Sequence, residues 1–451
     1  YRKERKHMGE MNFIIIAVDT LRAISMGCYG YALNTTPVLD EYAKEGTRFN
    51  WAFTESPPTQ PAFTAILTGT NPIVNNVVSH ILLKDCISGW KEKAPPITPG
   101  IKMLAELMRE KNYKTYAVDN LTMMRSHFDR GYDEYIYSSN IEEEDQVNSA
   151  EDSEFLAQMG RAGEEWWKQY YEELYSIIRK RRDRMIMVTA DEINSRLIPL
   201  LHRVKDERFF IFVHYWDPHA PYVPPKEFQK FMVTKKDQTE MMEEMIFQGK
   251  DLSWEDFVRT KSSVEDPTIR AKYDGEIAYV DNRLGQVFDE IADLRLDEKT
   301  IVIVTSDHGE SLGTHNTLGH AGLHDTIIRI PLIFHGPGIP GDKVVEGLVR
   351  QVDILPTILD FAGIDFSEPY PLSGISLEPV ITGKAEKSSD TIYCSECTQQ
   401  KTRAIRTRKW KFIKSMEDEP RSDQLPPKEL YDIENDPWAV SYTHLTLPTK
   451  A

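Results

Sequence analysis

The 451-residue sequence predicts an α/β fold: a mostly parallel central sheet flanked by helices, with a small C-terminal antiparallel β element. Three observations carry this expectation. Short unbroken apolar runs end abruptly at polar residues, helix-period segments alternate with them, and the chain changes character near Thr391. Strands buried on both faces read as continuous Val/Ile-rich runs, and their alternation with amphipathic helices marks a doubly wound sheet.

In chain order, Asn12 to Val18 (NFIIIAV) is the first predicted strand and stops at Asp19. Ile101 to Lys111 (IKMLAELMREK) carries apolar residues three and four apart and predicts a helix, as do Ala190 to Val204 and Tyr273 to Ile291. Phe209 to His214 (FFIFVH) is a second buried strand and runs into Trp216-Asp217-Pro218-His219. Lys299 to Thr305 (KTIVIVT) is the third, followed by Ser306-Asp307-His308-Gly309. Ligands of α/β sheets gather at the carboxyl ends of strands, so Asp19 and Asp307 are expected in one crevice.

Two insertions interrupt this pattern, at about 140–188 and 226–270. The first joins an acidic stretch, Glu142 to Glu154, to a basic run (RKRRDR) and reads as a solvated helical surface. The second extends to Lys272, has no clear period, and is expected to edge the site. Residues 12–385 are thus expected to form the main domain and 390–437 a β subdomain, where Ala404 to Ile413 alternates like a strand. The last stretch, 438–451, is an atypical tail.

The composition excludes several classes. Apolar residues make up 40% and charged residues 28%, the balance of a globular chain rather than a disordered one. Fifty-four Lys and Arg against 71 Asp and Glu leave a net charge of −17, a far field that repels nucleic acid and other polyanions. An anionic substrate therefore requires a local attractor, such as a metal ion. Four cysteines (Cys28, Cys86, Cys394, Cys397) are too few to frame a fold of this size, and Cys394 and Cys397 are expected to be unlinked thiols. The early apolar run Phe13 to Val18 is far short of the ~20 residues that a membrane span needs. No span is expected, and the visible sequence reads as cytoplasmic. Export is left open by a chain that opens at Tyr1, with Met8 and Met11 as candidate starts.

The chemistry-bearing residues cluster. Asp307-His308 after a buried strand offers two ligand types within one turn, with Gly309 permitting the bend. Three histidines, His308, His315 and His320, fall within thirteen residues, more polar rings than a core readily satisfies. In Thr54-Glu-Ser-Pro-Pro-Thr59-Gln-Pro61, a hydroxyl stands between prolines at the start of a helix. On spacing alone such a hydroxyl reads first as an ordinary N-cap and second as a nucleophile at a helix N-terminus.

Asn12-Phe-Ile-Ile-Ile-Ala-Val-Asp19-Thr-Leu-Arg22, Gly27-Cys-Tyr-Gly30 and Thr59-x-Pro61-x-x-x-x-x-Leu67-Thr68-Gly69 resemble the N-terminal region of sulfatases within the alkaline-phosphatase superfamily. Further blocks in family order are Val213-His-Tyr-x-Asp217-Pro-His219-x-Pro-Tyr222, Tyr273-Asp-x-Glu-Ile-Ala-Tyr-Val-Asp281, Thr305-Ser-Asp307-His308-Gly-Glu-Ser, Arg329-Ile-Pro-Leu-Ile and Glu429-Leu-Tyr-Asp432. The resemblance covers about 12–437. It implies an alkaline-phosphatase-like fold and a divalent metal (calcium, magnesium, manganese or zinc) held by Asp19, Asp307 and His308, with Thr59 beside them as nucleophile and further ligand. Thr20 stands where the family commonly has a second acid and is a weaker ligand. The resemblance also places His219 and His320 at the substrate's anionic head or leaving group, and His315 nearby.

Three departures stand out. The formylglycine pattern Cys/Ser-x-Pro-x-Arg reads Thr59-Gln60-Pro61-Ala62-Phe63, so no formylglycine is expected: threonine carries a methyl on Cβ and cannot become the aldehyde hydrate. Phe63 cannot replace the arginine's charge. The family's lysine and histidine after Gly-Tyr-x-Thr are also missing from Asn112-Tyr-Lys-Thr115-Tyr-Ala-Val-Asp119-Asn120-Leu-Thr122, leaving Asn120 as a polar substitute that contacts substrate. The resemblance therefore implies a metal-dependent hydrolase acting through Thr59 on a small anionic ester, either a sulfate or a phosphate, phosphodiester or phosphonate. The alternatives are a phospho-head-group transferase and an inactive anion-binding homologue.

Overall fold

The computed structural model describes residues 11–57, 59–78, 97–119, 125–137, 188–220, 222–231, 265, 267–385, 389–397, 401–416, 427–436 and 439. The acidic and basic runs of the first insertion, residues 232–264, Asn120, Cys86 and the tail from 440 onward lie outside them.

The strands are β1 (Asn12–Val18), β2 (Thr47–Phe53), β3 (Lys114–Asp119), β4 (Glu134–Tyr137), β5 (Phe209–Tyr215), β6 (Thr300–Thr305), β7 (Ser311–Leu312), β8 (Leu318–Gly319), β9 (Arg329–Ile330), β10 (Leu332–His335), β11 (Lys343–Arg350), β12 (Ile392–Glu396), β13 (Thr402–Arg406), β14 (Trp410–Ser415) and β15 (Lys428–Asp432). Nine of them form the central sheet in the order β11-β2-β10-β6-β1-β5-β3-β4, with β9 paired to β2. The pairs β6-β1, β1-β5, β5-β3 and β3-β4 are parallel, and β10 runs antiparallel between β6 and β2.

The apolar run in β1 follows from its central position. Phe13, Ile15 and Ala17 face one layer with Phe63, Ile66 and Leu67, while Ile14, Ile16 and Val18 face the other with Ile193, Leu197, Ile277 and Leu284. A strand covered on both faces has no solvent side to mark with polar residues. The first layer holds α2 (Thr59–Thr68) and α6 (Ile354–Phe361); the second holds α1 (Pro37–Glu45), α4 (Ala190–Val204) and α5 (Pro267–Asp293).

The helix α4 has its predicted bounds because Thr189 caps it: Glu192 Oε2 accepts from Thr189 N at 2.8 Å, and Thr189 Oγ1 accepts from Glu192 N at 3.4 Å. The helix expected over Ile101 to Lys111 is shorter, α3 (Leu104–Arg109). Asn112 adopts a left-handed φ of 64°, and Tyr113 N turns back to Met108 O. The expectation that residues up to Lys272 belong to a loop-like insertion is corrected, since α5 begins at Pro267, and proline suits a first helical turn.

The predicted C-terminal β element is a four-stranded antiparallel sheet, β12-β13-β14-β15. Ala404 to Ile413 is not one strand but parts of β13 and β14, because the alternation continues through the turn closed by Thr407 N to Trp410 O. Ile392, Cys394, Ala404, Ile413 and Tyr431 pack this sheet onto Phe53, Ile327, Ile328 and Leu348. Cys28, Cys394 and Cys397 are free thiols.

Asp281 on α5 accepts from Val38 N and Leu39 N of α1 at 3.0 and 2.8 Å, tying two helices together. Burial pushes its carboxyl up to about 7, against the pull of those two N–H groups. A carboxyl raised above its unfolded value near 3.9 takes up a proton on folding. Its contribution to stability is therefore greatest below about pH 4 and is lost as pH rises through its folded value. Asp281→Asn keeps an acceptor but no longer titrates. Between about pH 4 and pH 7 its unfolding free energy is expected to fall by roughly 1–4 kcal/mol less than that of the native chain, measured by urea unfolding at each pH.

Candidate active site

The parallel register sets the site. Ala17 of β1 lies beside His214 of β5 and Thr305 of β6, so the residues that follow leave the sheet at one edge. Asp19 N donates to Tyr215 O at 2.9 Å as the strand ends. Thr20 then takes a left-handed φ of 54°, and its N donates to Asp307 Oδ1 at 3.1 Å. The long helix α5 pins this turn: Tyr273 Oη donates to Thr20 O at 2.7 Å and accepts from Arg22 N at 3.1 Å. Gly309 is required where it stands, since a Cβ there would lie 2.2 Å from Thr326 O.

Asp19, Asp307 and His308 are fully buried, and their ligand atoms lie within 4.8 Å of one another. His308 Nδ1 is 2.9 Å from Gly309 O, which makes Nδ1 the N–H donor and leaves the Nε2 lone pair free. That Nε2 lies 3.3 Å from Thr59 Oγ1, which the first residue of α2 delivers. The convergence expected of Asp19, Asp307, His308 and Thr59 is what the structure places here. Phe63, one turn along α2, sets its ring edge-on to His214 at 4.7 Å, so the position expected to lack an arginine is filled by packing.

His320 and His219 stand on the open side. The His320 ring is 4.4 Å from that of His308 and 5.3 Å from that of His219, which itself lies 4.5 Å from Trp216. His219 Nδ1 donates to Ala220 O at 2.7 Å, fixing the ring's tautomer. The His315 ring stacks on that of His324 at 3.6 Å and faces Tyr431 at 6.2 Å.

The charges interlock. Burial disfavours the ionised Asp19, but the His214 hydrogen bond and the nearby His219 and His308 outweigh it and hold the carboxyl well below the usual range. Burial and then the Asp19 charge push Asp307 up. Burial and His320 push His308 down, favouring the neutral imidazole. His320 itself is raised to about 9, because its contact with Glu310, with Nδ1 and Oε1 3.6 Å apart, outweighs burial.

Sequence reasoning gave no role to His214 and Asp119. His214 is fully buried, with Nδ1 2.8 Å from Asp119 Oδ1 and Nε2 3.2 Å from Asp19 Oδ2. The available signal was positional: an acid and an imidazole close two apolar runs, and the pairing of β3 with β5 makes them neighbours. The Arg22 and Glu265 ion pair was also missed, since Glu265 is remote in sequence.

The residues fit a divalent cation. Asp19 Oδ1, Asp307 Oδ2 and Thr20 Oγ1 are buried with no hydrogen-bond partner, which polar atoms rarely tolerate without a ligand. Two carboxylates and one imidazole are a donor set such ions accept.

Sheet order and the acids gathered at one sheet edge match the alkaline-phosphatase-like fold expected from the sequence. A family model described as Sulfatase matches residues 11–364, and one for the C-terminal part of N-sulphoglucosamine sulphohydrolase matches 313–444. The chain belongs to the sulfatase family of hydrolases. It is 25% identical over 453 residues to a choline-sulfatase of Rhizobium meliloti (strain 1021), covering 95% of this chain and 81% of that one. Among solved structures, the phosphonate monoester hydrolase of Agrobacterium radiobacter superposes with a TM-score of 0.67 at 20% identity, over 96% of this chain and 91% of that chain. A protein solved in complex with its substrate D-glucosamine-2-N,6-O-disulfate gives 0.63 at 18% identity, over 96% and 93%. Among the described residues, no helix is long and apolar enough to cross a membrane.

Proposed function

We propose that this sulfatase-family hydrolase cleaves a phosphate or phosphonate ester with Thr59 as nucleophile and with a divalent cation held by Asp19, Asp307 and His308. The observation that carries the reading is the 3.3 Å approach of Thr59 Oγ1 to His308 Nε2 within that cluster. When bound, the cation supplies positive charge that makes the threonine hydroxyl more acidic and offsets the charge of the ester.

The rest is done by the chain. Thr59, at the N-terminus of α2, attacks phosphorus along the line of the departing oxygen, and its hydroxyl proton passes to solvent water as the O–P bond forms. The bond from phosphorus to the leaving oxygen breaks, and His320 or His219 donates the proton that oxygen needs. Water then attacks phosphorus and gives one proton to the histidine that lost one, the bond between phosphorus and Thr59 breaks, and the Thr59 oxygen takes a proton back from solvent. A plain threonine ester can be opened only by such direct attack on phosphorus or sulfur. A formylglycine hydrate, by contrast, would release sulfate by collapse of its hemiacetal.

A second reading, sulfate-ester hydrolysis, is favoured by the similarity to choline-sulfatase. A panel of aryl sulfate, phosphate monoester, phosphodiester and phosphonate monoester separates the two. The proposal expects turnover of a phosphorus ester to free acid. A clear preference for sulfate overturns it, and recovery of a transferred head group in place of free acid supports a transferase instead.

The leaving-group role of the histidines is separately testable. His320→Ala is expected to slow an alkyl ester, with its basic leaving oxygen, by roughly 10²-fold or more, and a nitrophenyl ester much less. Equal losses on both substrates would assign His320 to binding alone.

A further inference from the structure

We infer that His214, held from behind by Asp119, is a positioning residue that restricts Asp19 to a single ligand oxygen and so selects a small divalent cation over Ca2+. The inference rests on the proposed cation site and adds to it a reason for selectivity. His214, Asp19 and Asp119 are all fully buried. Asp119 Oδ1 lies 2.8 Å from His214 Nδ1, and the other oxygen of Asp119 accepts from the Tyr135 hydroxyl. Phe63 closes the side of the imidazole at 4.7 Å, so the ring is held on its edge and against its side.

That clamp aims Nε2 at Asp19 Oδ2, 3.2 Å away, and leaves Oδ1 as the Asp19 oxygen without a partner. Asp307 is restricted in the same way. Its Oδ1 already accepts from Thr20 N at 3.1 Å and His308 N at 2.8 Å, while Oδ2 accepts no hydrogen bond. Thr20, a neutral residue, adds at most one hydroxyl oxygen. The charged part of the set is therefore two single carboxylate oxygens and one imidazole nitrogen. Ca2+ seeks six to eight oxygens and commonly takes a carboxylate through both of them. A smaller ion that tolerates nitrogen, such as Mn2+, is satisfied by fewer protein donors.

The test measures cation binding, not turnover. The full chain is stripped with a chelator and titrated calorimetrically with Mn2+ and with Ca2+, as the native protein, His214→Phe and His214→Gln. The native chain is expected to bind Mn2+ at least about tenfold more tightly than Ca2+. His214→Phe, which frees Asp19 Oδ2, is expected to shrink that ratio by about tenfold or more, the size of effect that partners of metal ligands have. His214→Gln keeps a donor for that oxygen and is expected to hold the ratio within about threefold of native. Native binding of Ca2+ as tight as that of Mn2+ overturns the inference without recourse to any variant. An unchanged ratio in a folded His214→Phe protein also overturns it. Failure to bind either ion would instead overturn the cation site itself.

Discussion

Thr59→Ala is expected to abolish turnover of the preferred ester, lowering kcat by about 10³-fold or more while KM and the melting temperature change little. The hydroxyl lies 3.3 Å from His308 Nε2, and among the described residues no other hydroxyl hydrogen-bonds that nitrogen. Its removal costs the fold little. Thr59 opens α2 with Gln60 and Pro61, and the helix is anchored by its buried apolar residues Phe63, Ile66 and Leu67. A loss confined to kcat identifies an interaction made in the reaction rather than in substrate binding. Thr59→Ser keeps the oxygen and is expected to retain measurable turnover. Matching losses in Ala and Ser would instead point to packing by the threonine methyl.

The second large effect is expected at Asp307, where activity and stability move in opposite directions. Asp307→Asn keeps the carbonyl oxygen that accepts from Thr20 N and His308 N, so the turn after β6 is preserved. It removes one of the two carboxylates of the proposed cation site, whose ionisation is opposed by burial and by the charge of Asp19. The chelator-treated variant is therefore expected to melt at or above the temperature of the chelator-treated native protein. Its turnover is expected to fall by roughly 10²–10³-fold, the usual effect of removing a group that stabilises transition-state charge. Added cation should raise the native melting temperature but not that of the variant. A variant destabilised without cation, or one still stabilised by it, would contradict the assignment of Asp307 as a ligand.

What the sequence disclosed follows from which interactions are local. The strands β1, β5 and β6 were readable because both faces of a central strand are apolar, and α4 because Thr189 and Glu192 form a cap within four residues. Asp19, Asp307 and His308 stood out as candidates because Asp19 directly follows β1 and the other two come just past β6, beyond Ser306. His214 was not, because its role depends on pairing with Asp119 in β3, about a hundred residues away, and a lone imidazole in an apolar run reads as core. The early start of α5 at Pro267 was hidden by the unpatterned stretch before it. The β13-β14 turn was hidden because alternation alone does not show where a strand reverses. His315, a candidate substrate contact in the sequence, has its ring stacked on that of His324, a pairing that closeness to His308 in sequence does not show.

The central claim is that the Thr59 oxygen forms the bond to the ester's phosphorus. Rapid acid quenching of the enzyme during turnover of a phosphorus ester, followed by peptide mass spectrometry, tests it most directly. The account predicts one phosphoryl or phosphonyl group on the peptide containing Thr59, absent when Thr59→Ala is quenched in the same way. Modification of a different residue, or full turnover by Thr59→Ala, would contradict it.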